Sequence, residues 1–334
     1  MAYIRERQVA VEAVTQAAEL CRAVQAEIVR IDSLEKGDKS PVTVADFGSQ
    51  ALVCRHLSAA FPRDPIVAEE DSTELRKPEH AQALTQVTQY VQRFQADATP
   101  EEVCRWIDTG KGTVAERFWT LDPIDGTKGF LRHDQYAIAL ALIEQGQVKM
   151  AVLGCPALPM NMYAPNSDRG VLFAATQGGG ATMASLGTTS FVSINVTRRA
   201  EENRWRFLES VEAAHGHPAL QQAVAQAVGI IQTPLRMDSQ AKYGALARGD
   251  AVLYLRFPSS QNPTYHEKVW DHAAGALIVE EAGGCVTDMY GHPLDWASDY
   301  KMRRNRGVIA SNGILHASAV QALSKLHRRL NRNV

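Results

Sequence analysis

Helices and strands alternate along this chain in a pattern that predicts an α/β protein, with sheet sandwiched between helices. Apolar residues recur at helical spacing over residues 5–30 and again over 44–60, which predicts two long amphipathic helices. Short apolar runs with turn residues between them fill residues 119–196 and read as a strand-rich region. From residue 206 onward, helical and strand patterns take turns to the C-terminus. With 334 residues the chain is too long for one small core, and a prior of roughly 100–200 residues per domain suggests two domains.

In chain order, Ile4, Val11, Val14, Ala18, Cys21, Val24 and Ile28 set the stripe of the first helix. Gly37 to Pro41 is a polar break, and Phe61-Pro62 closes the second helix. Ile66-Val67-Ala68 reads as a buried strand that delivers Glu69, Glu70 and Asp71 at its end. Residues 74–106 are polar, Gln-rich and helical in character. Trp119-Thr120-Leu121 reads as a strand ending in an acidic DPID turn. Residues 135–155 read as a hairpin turning at Gln145-Gly146. Short strands continue to residue 196, interrupted at Asn166-Ser167-Asp168 and Gly178-Gly179-Gly180. The triple glycine lacks the Lys-Ser/Thr and the helix of a phosphate loop, so it is read as a strand-to-strand turn. Thr197 to Asn203 is charged and poor in apolar residues, the expected domain boundary. Beyond it come a strand at 206–210, helices at 218–228 and 241–247, and a strand at 251–257. A helix at 270–282 stopped by Gly283-Gly284 precedes a strand at 308–310 and a C-terminal helix ending in basic residues.

A net charge of −2 gives no electrostatic case for nucleic acid or a membrane surface as partner. An anionic substrate would need local cations. The five cysteines are widely spread and lack CxxC spacing, which argues against a zinc site or a disulfide framework and for a reducing setting. No secretory h-region and no run of roughly 20 apolar residues is present, so a cytoplasmic location is expected, with an organellar one left open if a transit peptide preceded this numbering.

The stretch LDPIDGTKGF carries the most chemistry. Asp122 and Asp125 can converge on hard divalent cations, and Gly126 and Thr127 can offer a backbone N–H and a hydroxyl to an anion held by them. Alone, the same Asp, Pro and Gly would also make an ordinary turn. Asp46 can equally be a surface acid or cap, Asp271 a helix N-cap, and Glu69-Glu70-Asp71 a solvated strand end. The run of three acids after a buried strand needs a cation to relieve its mutual repulsion. Ser239, Lys242 and Arg256 add a hydroxyl, an ammonium and a guanidinium that can meet a phosphate.

SPVTVADFGSQ, AEED, WTLDPIDGTKGFLR and VWDHAAG…EEAGG, in this order, resemble the lithium-sensitive, magnesium-dependent phosphatases of the inositol monophosphatase superfamily. The SPVT segment, the KGFLR tail and LRMDSQAKYGALARGDAVLYLRFP narrow the resemblance to the 3′(2′),5′-bisphosphate nucleotidases, from about residue 5 to about residue 315. That resemblance implies two to three Mg²⁺ ions, inhibition by Li⁺, and metal ligands at Glu69, Asp122, the carbonyl of Ile124, Asp125 and Asp271. Asp46 and Thr127 would orient and deprotonate the attacking water, with Glu69 counted in the catalytic set. Asp125, Gly126 and Thr127 would hold the scissile phosphate, and Ser239, Lys242 and Arg256 would take the 5′-phosphate and ribose. His215 would lie near the base or ribose, with His217 as the competing candidate. Asp71 stands where relatives more often carry Ser; it can tighten a weakly held cation or point to solvent.

The whole chain is therefore read as a five-layer αβαβα sandwich, with an N-terminal α+β domain over 1–198, an α/β domain over 199–334 and the site between them. The expected partner is a small bisphosphate nucleotide, 3′-phosphoadenosine 5′-phosphate, with its phosphosulfate analogue as a second substrate. Inositol polyphosphate 1-phosphatase, inositol monophosphatase and a nucleotide-binding sensor without turnover are the competing readings.

Overall fold

The computed structural model describes residues 2–31, 40–164, 167–198, 205–211, 217–258 and 264–330. His215 and most of the Thr197–Asn203 boundary lie outside the described residues. The first layer is a pair of long helices, α1 (Ile4–Ile31) and α2 (Ser40–Ala60). They lie on a seven-stranded sheet made of β1 (Ile66–Ala68), β2 (Arg117–Asp125), β3 (Ala137–Glu144), β4 (Gln147–Pro159), β5 (Arg169–Thr176), β6 (Gly180–Ser185) and β7 (Val192–Ser193), in that spatial order. Between β1 and β2 the polar segment forms α3 (Ala81–Gln92) and α4 (Pro100–Asp108), and a single-turn helix α5 (Thr127–Leu131) follows β2.

The second half supplies a five-stranded sheet of β8 (Phe207–Glu209), β9 (Leu235–Arg236), β10 (Leu253–Arg256), β11 (Cys285–Thr287) and β12 (Val308–Ser311), ordered β11-β12-β10-β8-β9. Helices α7 (Ala241–Ala247) and α8 (Ala273–Glu281) form the middle layer, and α6 (Pro218–Ala227) and α9 (His316–Leu330) the outer one.

Strand periodicity explains why five layers form. Successive strand side chains point to opposite faces. Along β3, Ile138, Leu140 and Leu142 enter the core under α1 and α2. Ala137, Ala139, Ala141 and Ile143 enter the core shared with α7, α8 and the second sheet. Both faces are covered, so β3 reads as a continuous apolar run rather than an alternating one. A third core, with Phe207, Leu220, Val224, Leu255, Ile309 and Leu323, seals the outer face of the second sheet. Three cores between five layers realise the αβαβα sandwich expected from the sequence. The middle layer is tight: a Cβ on Gly275 of α8 would stand 2.2 Å from the Tyr243 ring of α7.

The hairpin at Gln145-Gly146 forms with φ of 52° and 70°, a left-handed two-residue turn that suits paired strands. Gly178-Gly179-Gly180 turns the chain from β5 into β6, and its amides do hold an anion: Glu281 accepts from the N–H groups of Gly178 and Gly180, both at 2.8 Å. The expected DPID turn is corrected. β2 runs through Asp125, with a bulge between Asp122 and Asp125 opposite β3. All five cysteines are free; four are buried and Cys285 is half-buried. No helix among the described residues is long and apolar enough to cross a membrane.

Candidate metal and phosphate site

Two neighbouring strand ends begin the site. β1 pairs with β2 in parallel, Ala68 opposite Leu121, so the next step along both strands sets Glu69 beside Asp122. The bulge in β2 does the rest. In a regular strand, residues three apart face opposite sides. An extra residue re-aims the chain, and Asp122 and Asp125 both come within electrostatic reach of Asp271. Pro123 suits that position because an irregular ladder has less need of its missing N–H.

α2 clasps both strand ends through a short polar stripe on an otherwise apolar helix. Gln50 donates to the Glu70 carbonyl at 2.6 Å and accepts from the Glu70 N–H at 3.0 Å. Ser49 donates to the Pro123 carbonyl at 2.9 Å. Asp46, one turn before Gln50, lies buried against Glu69 and Glu70. Gln50 was not singled out from the sequence, although its spacing from Asp46 on one helix face was the available signal.

After β2 the chain turns at Gly126, whose φ is 89°. Gly is required there twice over, since a Cβ would also stand 2.8 Å from Cβ of Ser239. The Thr127 hydroxyl then points back to the Ile124 carbonyl at 3.5 Å. Asp271 closes a 3-10 turn, Val269–Asp271, just before α8, and one of its oxygens accepts from the Lys268 N–H at 3.0 Å.

Crowding sets the electrostatics. Burial, then Glu70 and Glu69, lift the Asp46 carboxyl well above the usual carboxylate range. Burial, then Glu69 and Asp125, do the same to Asp122. Asp125 is raised by burial and Asp271, with Lys242 and Arg256 pulling the other way. Glu69 is open to solvent, yet the surrounding protein mass and Asp271 push it up to about 7. One oxygen of Asp122, Oδ1, is buried with no hydrogen-bond partner. An orphaned carboxylate oxygen within an all-oxygen set of acids fits a hard divalent cation. Asp71 does not join this set: it is exposed, accepts from the Thr73 N–H and lies 3.6 Å from Lys111.

Opposite the acids stands a cationic group. Lys242 is buried, its ammonium donating to the Met237 carbonyl at 3.3 Å and lying 5.2 Å from the Tyr254 ring centroid. Burial, against the pull of Asp125, lowers its pKa to about 8. Arg256, at the end of β10, pairs through Nε with Glu267 at 2.8 Å. Ser239 takes a φ of 66°, and its hydroxyl accepts from the Ala241 N–H at 3.1 Å. The Gln240 N–H donates to Asp125 at 2.5 Å, joining the two groups. His217 is a helix cap here, its Nδ1 accepting from the Leu220 N–H.

Glu267 and His272 were also missed by sequence reading. His272 is wholly buried; its ring contacts the Tyr243 hydroxyl at 2.7 Å and Glu267 at 3.1 Å. The only hint was their closeness in sequence to Asp271.

Comparison with known proteins follows the same lines. The model of the inositol monophosphatase family matches residues 5–328. A 3'(2'),5'-bisphosphate nucleotidase of Schizosaccharomyces pombe is 42% identical over 341 aligned positions, covering 96% of each chain. One from Oryza sativa is 43% identical over 347 positions, covering 98% of this chain and 96% of its own. Among solved structures, an IMPase of Thermotoga maritima superposes with a TM-score of 0.63 at 19% identity, over 98% of this chain and 99% of that one, and so shares the fold.

Proposed function

Because this chain belongs to the inositol monophosphatase family, and is on that ground a phosphatase, we propose that it removes the 3′-phosphate of 3′-phosphoadenosine 5′-phosphate with the help of Mg²⁺. The products are AMP and inorganic phosphate, and the phosphosulfate analogue is a second substrate. The observation that carries the reading is the position of Asp125. It feels the acids through Asp271 on one side and the cations Lys242 and Arg256 on the other. A metal set and a second phosphate-binding group meeting at one carboxylate suit a substrate with two phosphates better than one with a single phosphate.

In this reading Glu69, Asp122, the Ile124 carbonyl, Asp125 and Asp271 hold two to three ions, and Li⁺ inhibits by taking a weaker position. Mg²⁺ held by these residues would supply charge to neutralise phosphoryl oxygens, to lower the pKa of water and to stabilise the leaving alkoxide. Asp46, buried beside Glu69 and Glu70, takes the proton of the attacking water, and the Thr127 hydroxyl orients that water. The turn at Gly126 offers its N–H to the scissile phosphate. Lys242 and Arg256, with Ser239, bind the 5′-phosphate, and His215 serves the base or ribose. We assign residues 1–198 and 199–334 to the two domains that supply the acids and the cations, with Asp271 the acid contributed by the second.

The test is phosphate release from 3′-phosphoadenosine 5′-phosphate, adenosine 3′-phosphate, inositol 1-phosphate and inositol 1,4-bisphosphate, each with and without Mg²⁺. Metal-dependent release fastest from the bisphosphate nucleotide is expected. Faster release from either inositol phosphate would overturn the substrate assignment, and binding without release would make the protein a sensor.

A further inference from the structure

We propose that Glu267 is a positioning residue that sets selectivity for the second phosphate by fixing the plane of Arg256; the proposal rests on the reading that Arg256 binds the 5′-phosphate. Glu267 is buried, and its oxygen Oε2 serves two neighbours at once: Arg256 Nε at 2.8 Å and His272 Nε2 at 3.1 Å. The His272 ring is held from its other side by the Tyr243 hydroxyl at 2.7 Å. Tyr243 is locked between layers, edge-on to Tyr254 and against Gly275. The Glu267 backbone is fixed as well, its carbonyl accepting from the Met302 N–H at 2.9 Å. The carboxylate that grips Arg256 is thus immobile from both ends.

The grip has a chemical consequence. A guanidinium reads a phosphate through a planar fork, so its value depends on the plane being set beforehand. Holding Nε orients the whole group while the terminal nitrogens carry the fork. A flexible Arg would supply the same charge but would lose side-chain freedom on each binding event. Selectivity for a substrate with a 5′-phosphate should therefore depend on Glu267 although Glu267 is not itself expected to touch the substrate.

The donor atoms of Glu267, Asp271 and His272 lie within 4.8 Å of one another, a spacing that would also suit a cation. The neighbouring positive charge is already present in Arg256, which is paired to Glu267. A role in metal binding and a role in Arg256 orientation make different demands on experiment. Loss of a metal ligand harms every substrate and shifts the Mg²⁺ requirement. Loss of Arg256 orientation harms only substrates that carry the second phosphate.

Glu267→Gln is the informative variant. Glutamine keeps the volume and can still hydrogen-bond His272, but it gives up the charge that holds Arg256. Glu267→Ala would leave a half-buried guanidinium without its partner and open a hole beside His272, so a loss of folding would mask the effect on selectivity. The measurement is kcat/KM on 3′-phosphoadenosine 5′-phosphate and on adenosine 3′-phosphate, for wild type, Glu267→Gln, Arg256→Ala and the double variant, with thermal melts and Mg²⁺ titrations alongside. We expect the ratio of the two efficiencies to fall roughly ten-fold in Glu267→Gln, the size of one charge-assisted hydrogen bond. The fall should come through KM, and the double variant should show no further loss of selectivity beyond Arg256→Ala. An unchanged ratio in folded Glu267→Gln, an equal loss on both substrates with a raised Mg²⁺ requirement, or additive losses in the double variant would each overturn the proposal. If wild type does not discriminate between the two substrates, or Arg256→Ala does not reduce discrimination, the fault lies with the 5′-phosphate reading itself.

Discussion

On the β2 side of the site, Asp46, Asp122 and Asp125 crowd together, each with its proton affinity raised by burial and by acidic neighbours. On the α7–β10 side, Arg256, Glu267, His272 and Tyr243 form a chain in which each polar group has a partner. Opposite neighbours give opposite shifts: Arg256 and His272 hold Glu267 down at about 2 although burial alone would raise it. Buried charge without a partner in the fold is costly, so the first side is built to be completed by something from outside. The second is completed internally and is rigid before a ligand arrives. One side is suited to chemistry and the other to recognition.

The largest test of this contrast is Asp122→Asn. Activity should fall on the order of 10³-fold or more on every phosphate substrate. The metal-free protein should melt higher than wild type, because an unpartnered buried acid has been replaced by an amide. Near-normal turnover from the folded variant would refute the metal assignment.

Next in size are Lys242→Ala and Arg256→Ala. Each should lower kcat/KM on the bisphosphate nucleotide roughly ten- to a hundred-fold relative to adenosine 3′-phosphate, the span of a charge-assisted hydrogen bond. Equal losses on both substrates would erase the distinction between the two sides.

A pH profile sharpens it further. Lys242 has a pKa lowered to about 8 from its ordinary 10.5, so its positive charge is lost as pH rises through about 8. Efficiency on the bisphosphate nucleotide should decline there, with the free-enzyme pKa visible in kcat/KM. Lys242→Met should remove that limb of the profile. The same shift makes this group's stability contribution grow between about 8 and 10.5, where the unfolded chain holds a proton that the folded one lacks.

The smallest expected effect belongs to an acid that braces the segment after Glu69-Glu70 without joining the crowded set. Asp108 accepts from the N–H and hydroxyl of Ser72 and pairs with Lys111 at 2.9 Å, which together overcome burial and lower it to about 2. Its contribution is fully present above the ordinary 3.8 and is lost as pH falls towards about 2. Asp108→Asn should cost roughly 1–2 kcal/mol at neutral pH once solvent screening is allowed for, and this deficit should shrink as pH falls from 3.8 through about 2 in acid-unfolding curves. A satisfied acid thus adds to stability, whereas the crowded acids of the site subtract from it until something from outside neutralises them.

Much of the fold was legible because periodicity reports which side of a local element meets a core. The stripe of α1, the turn at Gln145-Gly146 and the stop at Gly283 depend on neighbours within a turn or two of sequence. The acids at Glu69, Asp122 and Asp125 were legible for the same reason, being concentrated at the ends of apolar runs. The short strands β9 and β11 and the helix α5 were not, since a few residues carry too little pattern to be read.

The convergence of the site was decided by tertiary structure. Local composition makes DPID a turn, but pairing with β3 draws it into a bulged strand and brings both aspartates within electrostatic reach of Asp271. Gln50 matters because parallel pairing of β1 with β2 brings Glu70 under α2. Arg256 looks like a free cation in sequence and becomes an oriented one only when the segment carrying Glu267 folds against β10. Sequence alone determined which residue types the chain spends on acids, cations and cores. Long-range strand register and helix packing determined which of those charges face one another, because Coulomb energy and hydrogen bonding depend on distance in space, and distance in space is set by contacts far apart in the chain.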